Sequence, residues 1–495
     1  MPSQYEKISH LMRRAAFGAR PDEIAQKVNQ GLEATVDELV NYEQTPEDPA
    51  VPAAPQTAQG SSDIALITID DVASWWLSRM LLTKRPLQER MVLFWHDHYA
   101  TSYEKVNDPN GAKHLYWQNQ LERQHATGNF RALNKGMNRD AAMLRWLDTI
   151  TSTKASPNEN YARELFEIFM LGLTAYENGV YTEADVQQSA RAFTGWGWNL
   201  LRLDQPVSPA VNGPATDPTT VVPIPPDVND NGTAARQHDY TDKTVFGVVQ
   251  NFNGDQIIDL VLDHEPQRTY SARMLAEKLF EHFAYENPED YIVDHIAAVL
   301  LRTNFNIKQT LRDLFLNVKE FYSDRAIHSI VKWPAYYMIS SLRLLGLKNV
   351  NPRGANNSLR SMGQWLFWPP DVFGWPGRED WITTSQTFAR ANWADGVCTF
   401  RAANAQMPND SIEALRVLGG LTDTSTPEQV VDYFTSLLVQ RQLSSNVRQA
   451  LVDFLKKNTQ GVIGTFSITS DKTSNYPKIR GLIHLLLSRP EYQNY

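Results

Sequence analysis

Three histidines, two glutamates and an arginine are the residues of this chain whose types and spacing suit chemistry. His96 and His98 flank Asp97 in the run FWHDHYATS at residues 94–102. Such a pair can hold one divalent metal ion if a helix ends there, because residues two apart in a regular helix splay by about 200°. The plainer use is a pair of core histidines bonded to backbone. Glu164 and Glu167 lie three apart in NYARELFEIFMLG at residues 160–172, so they share one helix face while apolar residues cover much of the rest. Carboxylates placed this way are at least partly buried, which is costly unless they are paired, protonated or bound to a cation. Arg163 four residues before Glu167, with a second arginine at Glu164, would make them ordinary ion pairs instead.

Three functions fit these residues. In the first, a divalent metal held by His96, His98 and a carboxylate of the Glu164/Glu167 pair lowers the pKa of a bound water. The remaining glutamate takes its proton, and Arg191 or His238 steadies negative charge, giving a metal-assisted hydrolase of a carbohydrate-like or other small or polymeric substrate. In the second, Glu164 and Glu167, or one of them with Asp148, cleave a glycosidic bond as acid and base without metal. In the third, a helical binding or assembly protein uses the polar cluster as a satisfied buried network.

The elements that must position these residues read as helices, so the expected class is all-α, a large multi-helix core with a helical C-terminal subdomain. Pro86 opens a helix buried all round that runs to the HxH pair. Ser156-Pro157-Asn158-Glu159 has the form of a capping box before the glutamate helix, and Thr182 to Asp185 has the same form before the helix carrying Arg191. Thr426-Pro427-Glu428 starts a further helix, and Tyr476-Pro477 breaks the chain before a final one. Small hairpins are expected at 245–252 and 464–469. The expected division is 1–203 with the histidine and glutamate motifs, a Pro- and Asn-rich insertion at 204–236, a second helical region at 237–405 and a C-terminal subdomain at 406–495.

With 495 residues and 42% apolar content, the chain can bury a sizeable core. A formal charge of −9 argues against nucleic acid or an anionic membrane as a general partner. The single cysteine, Cys398, excludes an internal disulfide and a cysteine metal cage. No apolar run is long enough to span a membrane, and the stretch from Met1 to Tyr5 carries no signal-peptide core. The expected location is therefore periplasmic or secreted if a leader was removed, and cytoplasmic otherwise. Asp227 to Gly232 matches half a calcium loop but lacks its closing glutamate, so it reads as an Asx-rich turn. Trp365, Trp368, Trp375 and Trp381 crowd one Pro-rich segment, either lining a groove for a sugar or packing around turns.

FWHDHYATS at 94–102, NENYARELFEIFMLG at 158–172, YTEADV and ARAFTGW at 181–196, and GQWLFWPPDVFGWPG at 363–377 together resemble the bacterial family called domain of unknown function 1800. HLMRRAAFG at 10–18 and WITTSQTFARAN at 381–392 extend the resemblance along nearly the whole chain. It implies an exported protein and a partner protein encoded nearby, of phosphatase- or sulfatase-like fold, but it carries no reaction. Phe169 departs from relatives that frequently have a histidine there.

Overall fold

The computed structural model describes residues 2–196, 238–399 and 409–495, apart from 58, 64, 65, 458–460, 465, 467 and 469–471. Twenty-three α-helices and a single two-stranded antiparallel sheet occur among the described residues, so the protein is mainly α-helical. The expected insertion at 204–236, the Asx-rich turn within it and the boundary at 405/406 lie outside the described residues.

Local chemistry explains most helix starts. Pro86 occupies the first turn of helix Pro86–His98, where its missing N–H would be unsatisfied anyway. Thr182 and Asp185 form the expected capping box on helix Glu183–Ala192, as do Thr426 and Gln429 on helix Pro427–Leu438. Ser156 does not cap. It closes an antiparallel bridge with Thr153, and the helix begins instead at Asn160, whose N–H is accepted by Asn158 Oδ1 at 2.9 Å. Pro477 does not break the chain either, and lies inside helix Lys472–Ser488. The hairpin expected near 245–252 pairs Lys243–Val245 with Val248–Gln250. Phe246 and Gly247 turn it with φ of 50° and 78°, the signs a two-residue turn of the tight primed type requires.

One apolar core runs from Leu11 to Tyr495 and takes in side chains of the C-terminal helices, among them Val430, Phe434, Leu451 and Ile483. Helix Pro86–His98 lies deep in it, with Leu87, Met91, Val92, Leu93 and Trp95 all at most 1% exposed. Its polar residues must therefore find partners inside the protein. Glu89 does so with Arg123 at 2.7 and 2.9 Å and with the Trp76 indole at 2.9 Å.

Candidate active site

The motif helix ends at His98, as an HxH pair needs, and its last turn meets three distant segments. His96 Nε2 accepts the backbone N–H of Phe367 at 3.1 Å. That fixes the ring proton on Nδ1, which faces Glu122 Oε1 at 3.9 Å. Burial holds His96 down at about 3, so the ring is neutral. Asp97 Oδ1 accepts the N–H of Trp375 at 2.9 Å, and the neighbouring Gly374 has φ 90°, a conformation and a space in which a Cβ would collide with that carboxylate. Burial pushes the Asp97 carboxyl up to about 7. His98 Nε2 donates to the carbonyl of Phe169 at 3.1 Å, which leaves Nδ1 as an acceptor for Lys278 Nζ at 3.2 Å.

The glutamates occupy another setting. Helix Asn160–Glu164 passes directly into a π-helical turn, Leu165–Met170, and such turns recur at functional sites. This turn presents the Phe169 carbonyl to His98. Glu164 is half-buried and has neither hydrogen-bond nor ion-pair partner among the described residues. Burial first, and the charge of Glu167 second, raise it to about 7. Arg163 is spent elsewhere, on Glu183 at 2.6 and 2.9 Å and on Glu159 at 3.0 Å, and reaches Glu167 only at 4.0 Å.

Arg191 and His238 serve one loop. Arg191 Nε donates to Asp239 Oδ2 at 2.8 Å and Nη2 to the Asp242 carbonyl at 3.1 Å, while His238 Nδ1 donates to the Thr194 carbonyl at 2.8 Å. Asp148 pairs with Lys105 at 2.7 Å. The structure thus joins His96 and His98 on one helix turn, sets Glu167 4.0 Å from Arg163, leaves Glu164 without a hydrogen-bond or ion-pair partner among the described residues, and ties Arg191 and His238 to the segment 238–242. Among the described residues no three of His, Cys, Asp or Glu gather as a metal site requires. The lone pair of His96 is taken by Phe367 and that of His98 by Lys278, so neither ring offers a free ligand nitrogen.

Two groups escaped the sequence reading. Lys278 lies in helix Gln267–Phe283 four residues after the buried Met274 and four before His282, on a stripe that also carries Gln267 and Ser271, so periodicity does not single it out. Glu122 is fully buried, and burial followed by the nearby Asp140 pushes its carboxyl well above the usual range. Gln118 Nε2 meanwhile donates to Asp140 at 2.8 Å.

All of these segments fall within residues 10–494, which match the family described as "Protein of unknown function (DUF1800)". The chain belongs to that family. No curated protein and no solved structure matches it significantly. Two of the stretches on which the resemblance rests, 158–172 and 363–377, meet the last turn of helix Pro86–His98, which lies in a third, 94–102.

Proposed function

We propose that this DUF1800 protein is a hydrolase that cleaves a carbohydrate-like substrate by general acid–base catalysis, with Glu164 as the acid and Glu167 as its partner carboxylate. The observation that carries this reading is the half-exposed, unpartnered Glu164 carboxyl, raised to about 7 beside Glu167. A carboxylic acid protonated near neutrality can protonate a leaving-group oxygen while the neighbouring carboxylate faces the developing positive charge. Trp365 and Trp368, stacked at 3.7 Å and both half-exposed, with the exposed Phe373 add aromatic surface of the kind sugar rings pack against.

Release of reducing ends from a panel of envelope and extracellular glycans tests this. Turnover should fall as pH rises through about 7, because the acid form is consumed, and Glu164→Gln should abolish it. Turnover indifferent to that substitution would refute the assignment. Stoichiometric metal in protein purified without a histidine tag, with activity lost on chelation, would replace it by the metal-assisted reading. Inactivity across the panel, without metal, would favour a binding or assembly role.

A further inference from the structure

A second polar centre stands at the end of helix Pro86–His98. Lys278 projects from helix Gln267–Phe283 and stays half-buried, and its sole hydrogen-bond partner among the described residues is the neutral ring of His98, at 3.2 Å. No carboxylate lies within ion-pair distance of its Nζ among those residues. The Phe169 carbonyl fixes the His98 proton on Nε2, so Nδ1 can only accept from Lys278. One N–H of the Lys278 side chain is thereby anchored on a neutral acceptor. Asp97 faces it electrostatically from the same helix turn as His98, with Oδ1 held by the Trp375 N–H and Oδ2 without a hydrogen bond. Glu277 and Glu281 of its own helix are the other charges that act on it.

We propose that Lys278 is a nucleophilic amine that condenses with a small aldehyde, with Asp97 as the proton donor and His98 as the group that positions the nitrogen. The Nζ lone pair forms a C–N bond to the carbonyl carbon, and the carbonyl electron pair moves to oxygen, which takes the proton of the Asp97 carboxyl. The nitrogen then returns a proton to Asp97. In the second step Asp97 donates again as the C–O bond breaks, so water leaves and the nitrogen lone pair closes the C=N bond. Neutral amine, aldehyde and acid thus become an iminium, a carboxylate and water, and Asp97 is the first of the charges that act on the lysine. Burial supports both partners, lowering the lysine and raising Asp97 to about 7. An ordinary surface lysine lacks this arrangement. Lys84, for example, is 56% exposed and pairs with Asp48 at 3.7 Å.

The test is reductive trapping of the full chain. Folded protein is incubated with glycolaldehyde and cyanoborohydride at neutral pH, and labelled lysines are located by peptide mass spectrometry. Lys278 should label at least tenfold faster than Lys84 and Lys105. Asp97→Asn should slow labelling at Lys278 tenfold or more, with circular dichroism confirming that the variant is folded, and Lys278→Arg should remove the fast phase. Glu164→Gln should leave the labelling intact, which separates this site from the glycan-cleaving one. Label spread over exposed lysines with Lys278 unmodified, or a rate at Lys278 unchanged in a folded Asp97→Asn variant, would overturn the proposal.

Discussion

Replacing Glu164 by Gln changes stability in a way that depends on pH, and the dependence reports what the carboxyl is for. Its pKa is about 7 in the fold against 4.5 for the ordinary group. Between those values the native state holds more protons than the unfolded one, so wild-type stability falls as pH rises through that window and levels off above it. Converted in full, the shift costs about 3 kcal/mol at pH 8. Solvent screening of a half-buried group reduces this to about 1–2 kcal/mol. Glutamine carries no charge and escapes the cost. Urea unfolding of both proteins at pH 5 and pH 8 should find them within about 0.5 kcal/mol at pH 5 and the variant more stable by about 1–2 kcal/mol at pH 8. A variant less stable by the same amount at both pH values would mean that Glu164 holds the structure together through a neutral contact, and the reasoning would fail.

Gly374→Ala should cost about 2–4 kcal/mol, read as a lower melting temperature, because its Cβ meets Asp97 Oδ1 at a φ of 90°. Glu89→Gln should cost about 3–5 kcal/mol, since it strands the buried Arg123 guanidinium. Burial alone would raise Glu89, but Arg123 and Arg79 hold it below its ordinary value, so its contribution is present above about 4.5 and lost as pH falls through the lower folded value. Acid unfolding of wild type and variant should therefore converge. Arg191→Ala should cost about 1–3 kcal/mol and speed hydrogen exchange at the Thr241 N–H, which Asp239 Oδ1 now accepts at 2.9 Å.

The helical class, the helix ending at His98, the Thr182 cap and the hairpin at 243–250 were legible because each rests on local periodicity or on one turn of backbone chemistry. The Ser156 box had the right residues, yet its serine backbone pairs with Thr153, a competing turn that a four-residue pattern does not register. His96 and His98 were read in sequence as metal ligands or, more plainly, as core histidines bonded to backbone, and each is buried with one backbone partner. Their partners were not legible, since Phe169, Lys278 and Phe367 come from segments that helical periodicity cannot bring together. Arg163 illustrates the same limit. Its i,i+4 neighbour Glu167 was visible in sequence, whereas Glu183, which binds it more closely, was not.

The convergence on three successive residues also sets a timetable for assembly. Partners of His98, His96 and Asp97 stand 71, 271 and 278 residues further along the chain. At the usual pace of about 5–20 residues per second, translation delivers the Trp375 segment roughly 14–56 s after Asp97 has been made. During that interval the imidazole of His96 and the carboxyl of Asp97 lack the backbone N–H groups that later satisfy them, in a helix whose other faces are apolar. Contacts of such long sequence separation make closure slow and leave this helix exposed to wrong partners meanwhile. The last turn of helix Pro86–His98 thus cannot become native until the chain has been made as far as Trp375, although most of the residues it packs among are present long before.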